Sequence, residues 1–172
     1  MELITFDYLF VIYLGIFFLG GLVKGTIGVG LPTVTLTLLS FFFDIKDSIS
    51  FILIPVILTN LVQMLDGKEL KSIFQQTKFF LFTSVVFVIP GFLVLRAINS
   101  NTILLILASL LVLNSCLVLF NKIITIKRHT SFQTQFWIGA LTGITTGVTS
   151  IYTMPFIFLI QSLNFNKEKL IQ

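Results

Sequence analysis

The chain has 172 residues, of which 56% are hydrophobic and only 10% charged, against roughly a quarter charged in an average soluble domain. A soluble core cannot absorb that much apolar surface, and since a hydrocarbon layer about 30 Å thick takes about 20 residues per helix, spans fill the chain and leave no room for an extramembrane domain. The formal charge of +4, from 11 basic and 7 acidic residues, sits between the apolar runs, where it sorts loops to one side of a membrane rather than forming a nucleic-acid surface. The single cysteine, Cys116, lies inside an apolar run, which excludes an internal disulfide framework and a thiolate metal site.

In chain order, the N-terminal residues carry Glu2 and Asp7 but no Lys or Arg. That start lacks the basic region of a cleavable signal peptide, so the first helix is expected to stay in the mature protein. Apolar runs follow at 8–23, 25–43, 49–65, 79–95, 102–120 and 136–160, with polar connections at 44–48, 66–78, 96–101 and 121–135 and a tail at 161–172. Three single spans separate the four connections, so these alternate sides. Connections 66–78 and 121–135 supply Lys68, Lys71, Lys78, Lys122, Lys127 and Arg128, against only Lys46 and Arg96 from the other two. The positive-inside rule puts the first pair in the cytoplasm.

Residues 8–43 would make a straight helix about 54 Å long, too long for one span. Within them, residues 20–32 read Gly-Gly-Leu-Val-Lys-Gly-Thr-Ile-Gly-Val-Gly-Leu-Pro. Irregular backbone at membrane depth is tolerated only where protein or a water-filled cavity surrounds it, so this stretch is expected to be a break that lines a substrate path. Sliding the sequence by 118 positions lays Gly21 on Gly139 and Gly25 on Gly143, and brings Gly28 to Thr146 and Gly30 to Val148. Such internal symmetry is a mark of secondary transporters. The expected fold is an all-α polytopic membrane protein in one transmembrane domain, 1–172. It has two related multi-helix repeats with glycine-rich broken or re-entrant helices, a first repeat at 8–120 and the start of a second at 126–172. The second is expected to be incomplete, finished by further residues, by another copy of the chain or by a completing chain.

The residues suited to hold a small anion follow from donor chemistry. Backbone N–H groups at a helix start favour negative charge, and Gly25, Gly28 and Gly30 ahead of Pro32 offer them. Thr26 and Thr33 add hydroxyls, and Lys24 is the only charge between Asp7 and Asp44, either a counter-charge within a span or a lysine snorkelling to the interface. Asn60 and Gln63, three apart on one helical face, are either anion donors or glue between helices. Thr146, Gly147 and Thr149 are their counterpart in the second motif. The glycine pairs 21/25 and 139/143 are equally small-residue packing contacts, and alanine at Gly28 and Gly30 is expected to separate packing from binding. No enzyme is expected: His129 stands alone in a basic loop, no carboxylate pair lies within a span, and neither a metal nor another cofactor is called for.

At these residues the chain resembles the sulfite exporter TauE/SafE family. Residues 21–32, with Val-Lys-Gly-x-x-Gly-x-Gly-Leu-Pro, are similar to the family's first glycine motif, and 54–63, Ile-Pro-Val-Ile-Leu-Thr-Asn-Leu-Val-Gln, to the helix after it. Residues 139–172, with Pro155 and the ending Gln-x-Leu-x-x-x-Lys-x-x-Leu-Ile-Gln, are similar to the second motif and its continuation. The resemblance implies eight membrane segments in two related halves and transport of small anions: sulfite, organosulfonates or related organic acids. Family members usually run further than this chain. The second motif departs from the family pattern at Thr146, Val148, Thr149 and Ser150, where glycine is common. The alternative is a noncatalytic membrane subunit or scaffold whose glycines serve helix packing. The expected partners are the lipid bilayer and the anion, with no nucleic acid.

Overall fold

A computed structural model describes residues 2–120, 131–152, 156, 158, 159, 162, 163 and 165. Six helices are described: α1 (Glu2–Ile27), α2 (Leu31–Leu39), α3 (Ile45–Asp66), α4 (Leu70–Ala97), α5 (Ser100–Leu119) and α6 (Phe132–Thr149). No strand occurs among the described residues. Among the described residues, four stretches are long and apolar enough to cross a membrane: Tyr8–Ile27, Ile45–Asp66, Leu70–Ala97 and Ser100–Leu117. The protein is thus an all-α polytopic membrane protein. Its chain falls into two compact units, Met1–Val62 and Gln63–Leu170, described separately below.

In the first unit, the long apolar stretch folds back rather than tilting. Gly28 and Gly30 take φ values of 86° and 103°, a region that a side chain makes costly by about 1–2 kcal/mol per residue. The reversal lays α2 along the last turns of α1: Gly20 meets the side chain of Thr35 and the carbonyl of Leu31, and Gly30 meets Val23. One face of α2, made of Leu31, Pro32, Thr35, Leu36 and Leu39, is buried. Pro32 is tolerated in the first turn of α2 because the N–H it lacks would have no helical partner there. Downstream, Asp44 caps α3 by accepting the N–H of Lys46 at 2.9 Å, a side-chain substitute for the missing helical acceptor. An aromatic group of Tyr13, Phe43 and Phe51 packs edge-on where α1 and α3 meet.

The second unit is built on the pairing of α4 with α6. At 28 residues, α4 is about 42 Å long and exceeds the hydrocarbon thickness. Glycines on α6 fall at every fourth position, on one face, and let the two backbones touch. A methyl group on Gly139 would lie 2.8 Å from the carbonyl oxygen of Phe80, and one on Gly147 would lie 2.5 Å from that of Val88. On Gly143 it would strike the carbonyl oxygen of Ser84, and on Gly91 of α4 it would lie 2.5 Å from the carbonyl oxygen of Ile144. Close approach of this kind gathers van der Waals and weak Cα–H···O contacts, which drive helix association where lipid removes the hydrophobic incentive. Phe80, Leu159 and Leu163 form a buried cluster beside it, with Phe80 stacked on Phe156 at 5.4 Å between centroids. Asn99 caps α5, its Oδ1 accepting from the N–H and hydroxyl of Thr102 at 2.8 and 2.7 Å.

Helix boundaries move relative to the sequence reading. Connections 44–48, 66–78 and 96–101 shrink because α3, α4 and α5 begin at Ile45, Leu70 and Ser100. Lys71 and Lys78 are therefore helical residues of α4, and the connection that bore them reduces to residues 67–69. In 121–135, residues 121–130 lie outside the described ones, and α6 starts at Phe132 after Ser131.

Candidate functional site

The break between α1 and α2 is made by local backbone chemistry. The N–H of Gly28 closes the last turn of α1 on the carbonyl of Lys24 at 2.7 Å, and the N–H of Val34 opens α2 on the carbonyl of Gly30 at 3.0 Å. Gly30 is the N-cap and brings no side-chain acceptor, so the first donors of α2 face whatever lies beyond the turn. The threonines contribute less. The Thr26 hydroxyl donates back to the carbonyls of Leu22 and Val23, both at 3.0 Å, on the outward side of α1. Gly25 also faces outward, with nothing within 4 Å of the place a side chain would occupy. Thr33 is half-buried and Pro32 buried.

Lys24 is the chemical centre of this unit. Although it belongs to the last turn of α1, it does not snorkel outward: it is only 9% exposed. Its Nζ donates to Thr59 Oγ1 at 3.0 Å and to Asn60 Oδ1. Pro55, inside α3, has no N–H, so the carbonyl that goes without a ladder donor is that of Phe51, one turn earlier. Thr59, one turn on, donates its hydroxyl to the Pro55 carbonyl at 2.8 Å, with the Val56 carbonyl at 3.3 Å. Both partners of the ammonium are neutral, and among the described residues no carboxylate pairs with it. A buried charge without a counter-charge is expensive, and at membrane depth it marks a functional group by default.

Of the predicted residues, the structure brings together Lys24 and Asn60, with Thr59, the neighbour of Asn60 in sequence, as a third member. Gln63 is half-buried and lies past the end of the unit, which closes at Val62. In the second motif, Gly147 is packed against Val88 and Gly91. Thr149, wholly buried, donates to the Thr145 carbonyl at 2.8 Å and accepts the N–H of Ile151 at 3.3 Å. Thr146 is half-buried, and its carbonyl accepts the N–H of Ser150 at 2.7 Å. Ser150, at φ 57°, ends α6. In the 118-residue register α1 ends opposite residue 145, so the second helix runs one turn further. Thr146 and Val148 align with Gly28 and Gly30 on that shift, and neither tolerates the bend those glycines make. Pro155 lies outside the described residues.

Sequence reasoning missed Gln135, which it left in a connecting loop. The residue is 1% exposed on α6 and inserts its carboxamide into α4: Oε1 accepts the N–H of Phe80 at 3.2 Å, and Nε2 donates to the carbonyl of Gln76 at 2.6 Å. Those are the two groups that one turn of an ideal helix pairs with each other. The available signal was Ser131, an N-cap residue directly before the apolar period that starts at Phe132.

A family model described as "Sulfite exporter TauE/SafE" matches residues 13–171. No curated protein and no solved structure matches the chain.

Proposed function

The chain belongs to the sulfite exporter TauE/SafE family, whose members are membrane transporters of sulfur anions such as sulfite rather than enzymes, and on that premise we propose that it carries small oxyanions across a bacterial inner membrane through a site centred on Lys24. Sulfite, organosulfonates and related organic acids are the candidate cargoes. The observation that carries this reading is the buried Lys24 ammonium held by two neutral partners: an arriving anion supplies the missing counter-charge. The turn at Gly28 and Gly30 opens the chain beside it and presents the uncapped start of α2. Asn60 shares the cluster, and Thr33 lies in the first turn of α2. Residues 66–78 and 121–135 face the cytoplasm in this arrangement, by their lysine and arginine content.

The test is flux. Protein reconstituted in liposomes is expected to move sulfite, an alkanesulfonate or a small carboxylate, and Lys24→Met to abolish that flux with the protein still folded. Wild-type liposomes tight to all three would sink the proposal. The packing alternative has an observation of its own in the second motif, where Gly139, Gly143 and Gly147 are filled by the backbone of α4. We assign that motif to holding α4 and α6 together.

A further inference from the structure

The outward face of α4 carries its charges in one line. At 3.6 residues per turn, Lys71, Lys78, Phe82, Val85, Ile89 and Arg96 fall within about 40° of a single line along the helix, and all six are exposed. α6 lies on the opposite side of α4, against Phe80, Ser84 and Gly91. Lys78 and Arg96 stand about 27 Å apart along the axis, and only apolar side chains of the line lie between them. That separation is close to the thickness of a hydrocarbon layer. The line is therefore the lipid-facing side of α4, and its charges mark the two edges of the hydrocarbon.

A second observation puts one edge at Lys78. α6 runs parallel to α4: Gln135 joins Gln76 and Phe80, while Gly143 and Gly147 meet Ser84 and Val88 further along. Trp137, exposed on α6, thus stands level with Lys78, and tryptophan gathers at the headgroup level of a bilayer. Beside it the ring of Phe79 meets that of Phe132 at 5.1 Å between centroids, and the Lys78 ammonium lies 5.0 Å from the Phe79 centroid. The first two turns of α4 then rise out of the hydrocarbon as helix, with Lys71 about 10 Å beyond Lys78 along the axis. Helical side chains lean toward the N-terminus, so Lys78 reaches back toward the level of the lipid phosphates.

Among the described residues no carboxylate pairs with Lys71 or Lys78. Glu69, the N-cap of α4, comes two residues before Lys71 and so falls on the far side of the helix. Two ammonium groups in line with a strip of exposed apolar side chains match one kind of molecule, an anionic headgroup on acyl chains. We propose that this face binds an acidic phospholipid, with its phosphate between Lys71 and Lys78 and its acyl chains along Phe82, Val85 and Ile89. A zwitterionic lipid offers the same phosphate with a cation attached, so the net charge of the headgroup decides. The site rests on the membrane fold and is independent of the transport reading.

Native mass spectrometry of the full chain in detergent, titrated with phosphatidylglycerol or phosphatidylcholine of matched acyl chains, tests the proposal. The wild type is expected to bind phosphatidylglycerol about tenfold more tightly, the pull of two lysines on one anionic headgroup. Lys71→Gln/Lys78→Gln is expected to bring the two lipids to parity, and Lys71→Arg/Lys78→Arg to keep the preference. Lys78→Gln alone is expected to lower the preference about threefold. Lys46→Gln, which removes the same charge from the first unit, is expected to leave it unchanged. Equal binding of the two lipids by the wild type would overturn the proposal, as would a preference that survives Lys71→Gln/Lys78→Gln. An equal loss in Lys46→Gln and Lys78→Gln would overturn it too, by tracing the preference to net charge. Excess inorganic phosphate is expected not to displace the lipid; displacement would overturn the assignment to a phospholipid. If the double glutamine variant does not fold, the single variants decide.

Discussion

Gly21 and Gly25 of α1 fall on Gly139 and Gly143 of α6 when the sequence is slid by 118 positions, and the two pairs do different work. On α6, Gly139, Gly143 and Gly147 are needed because the carbonyls of Phe80, Ser84 and Val88 lie where a side chain would begin. On α1, Gly21 and Gly25 meet nothing within 4 Å, and the glycines that matter are Gly28 and Gly30, whose positive φ turns the chain back on itself. One set is required by its neighbours and the other by its own backbone. On the same shift Lys24 falls on Thr142, a buried residue whose hydroxyl has no hydrogen-bond partner among the described residues. The first motif has a charge followed by a bend; the second has a hydroxyl and a helix that continues one turn more. The asymmetry teaches that small residues recurring in a sequence can serve different structural ends, so that their chemistry has to be read position by position.

The comparison breaks first at Gly143. Gly143→Ala places a methyl group against the Ser84 carbonyl and the Cβ of Phe87, where backbone has to move, and overpacking of this kind costs about 3 kcal/mol. Detergent-solubilised protein is expected to lose its folded fraction, read by the fluorescence of Trp137 on the same helix. A neutral result would mean that α4 and α6 do not touch through their backbones.

Next come Gly28→Ala and Gly30→Ala, each expected to cost about 1–2 kcal/mol from left-handed backbone alone, seen as a lower temperature of thermal inactivation in size-exclusion assays. These substitutions damage the turn whether or not a ligand binds, so they no longer separate packing from binding, as the sequence suggested they would. Lys24→Met takes over that task, because its position has no unusual backbone.

A smaller effect is expected from Gln135→Leu. It removes the carboxamide from between Phe80 and Gln76, but those two backbone groups can then pair with each other along α4. The net loss is about 1 kcal/mol, and amide hydrogen exchange at Phe80 distinguishes the outcomes. Protection that persists shows the helix closing on itself. Exchange that rises many-fold shows that the side chain was holding an opened turn.

Much of this was legible before any coordinates. Apolar runs separated by short polar connections announce membrane helices, and an apolar stretch of residues 8–43, interrupted by five glycines at 20–30, has to fold back. The contact of Lys24 with Thr59 and Asn60 was legible only as a list of polar residues. Nothing in a period or a spacing says that residue 24 meets residues 59 and 60. Gln135 was hidden for a different reason. A polar residue near a lysine-rich segment looks like loop, and only the backbone of another helix reveals that both ends of its amide are satisfied.

The smallest expected effect is the sharpest check on the first region. Gly21→Ala and Gly25→Ala meet open space and sit within a regular helix, where replacing glycine by alanine gains about 0.5–1 kcal/mol from reduced backbone freedom in the unfolded chain. Both variants are expected to be as stable as the parent or slightly more so, with anion binding unaltered because Lys24 reaches α3 through its own side chain. The same substitution at Gly143 is expected to be ruinous, so the pair of measurements compares one chemical change in two environments. A loss at Gly25 as large as at Gly143 would show that, in the bilayer, another helix packs on the glycine face of α1 as closely as α4 packs on α6. The two motifs would then be alike in packing and would differ only in the charge that one of them carries.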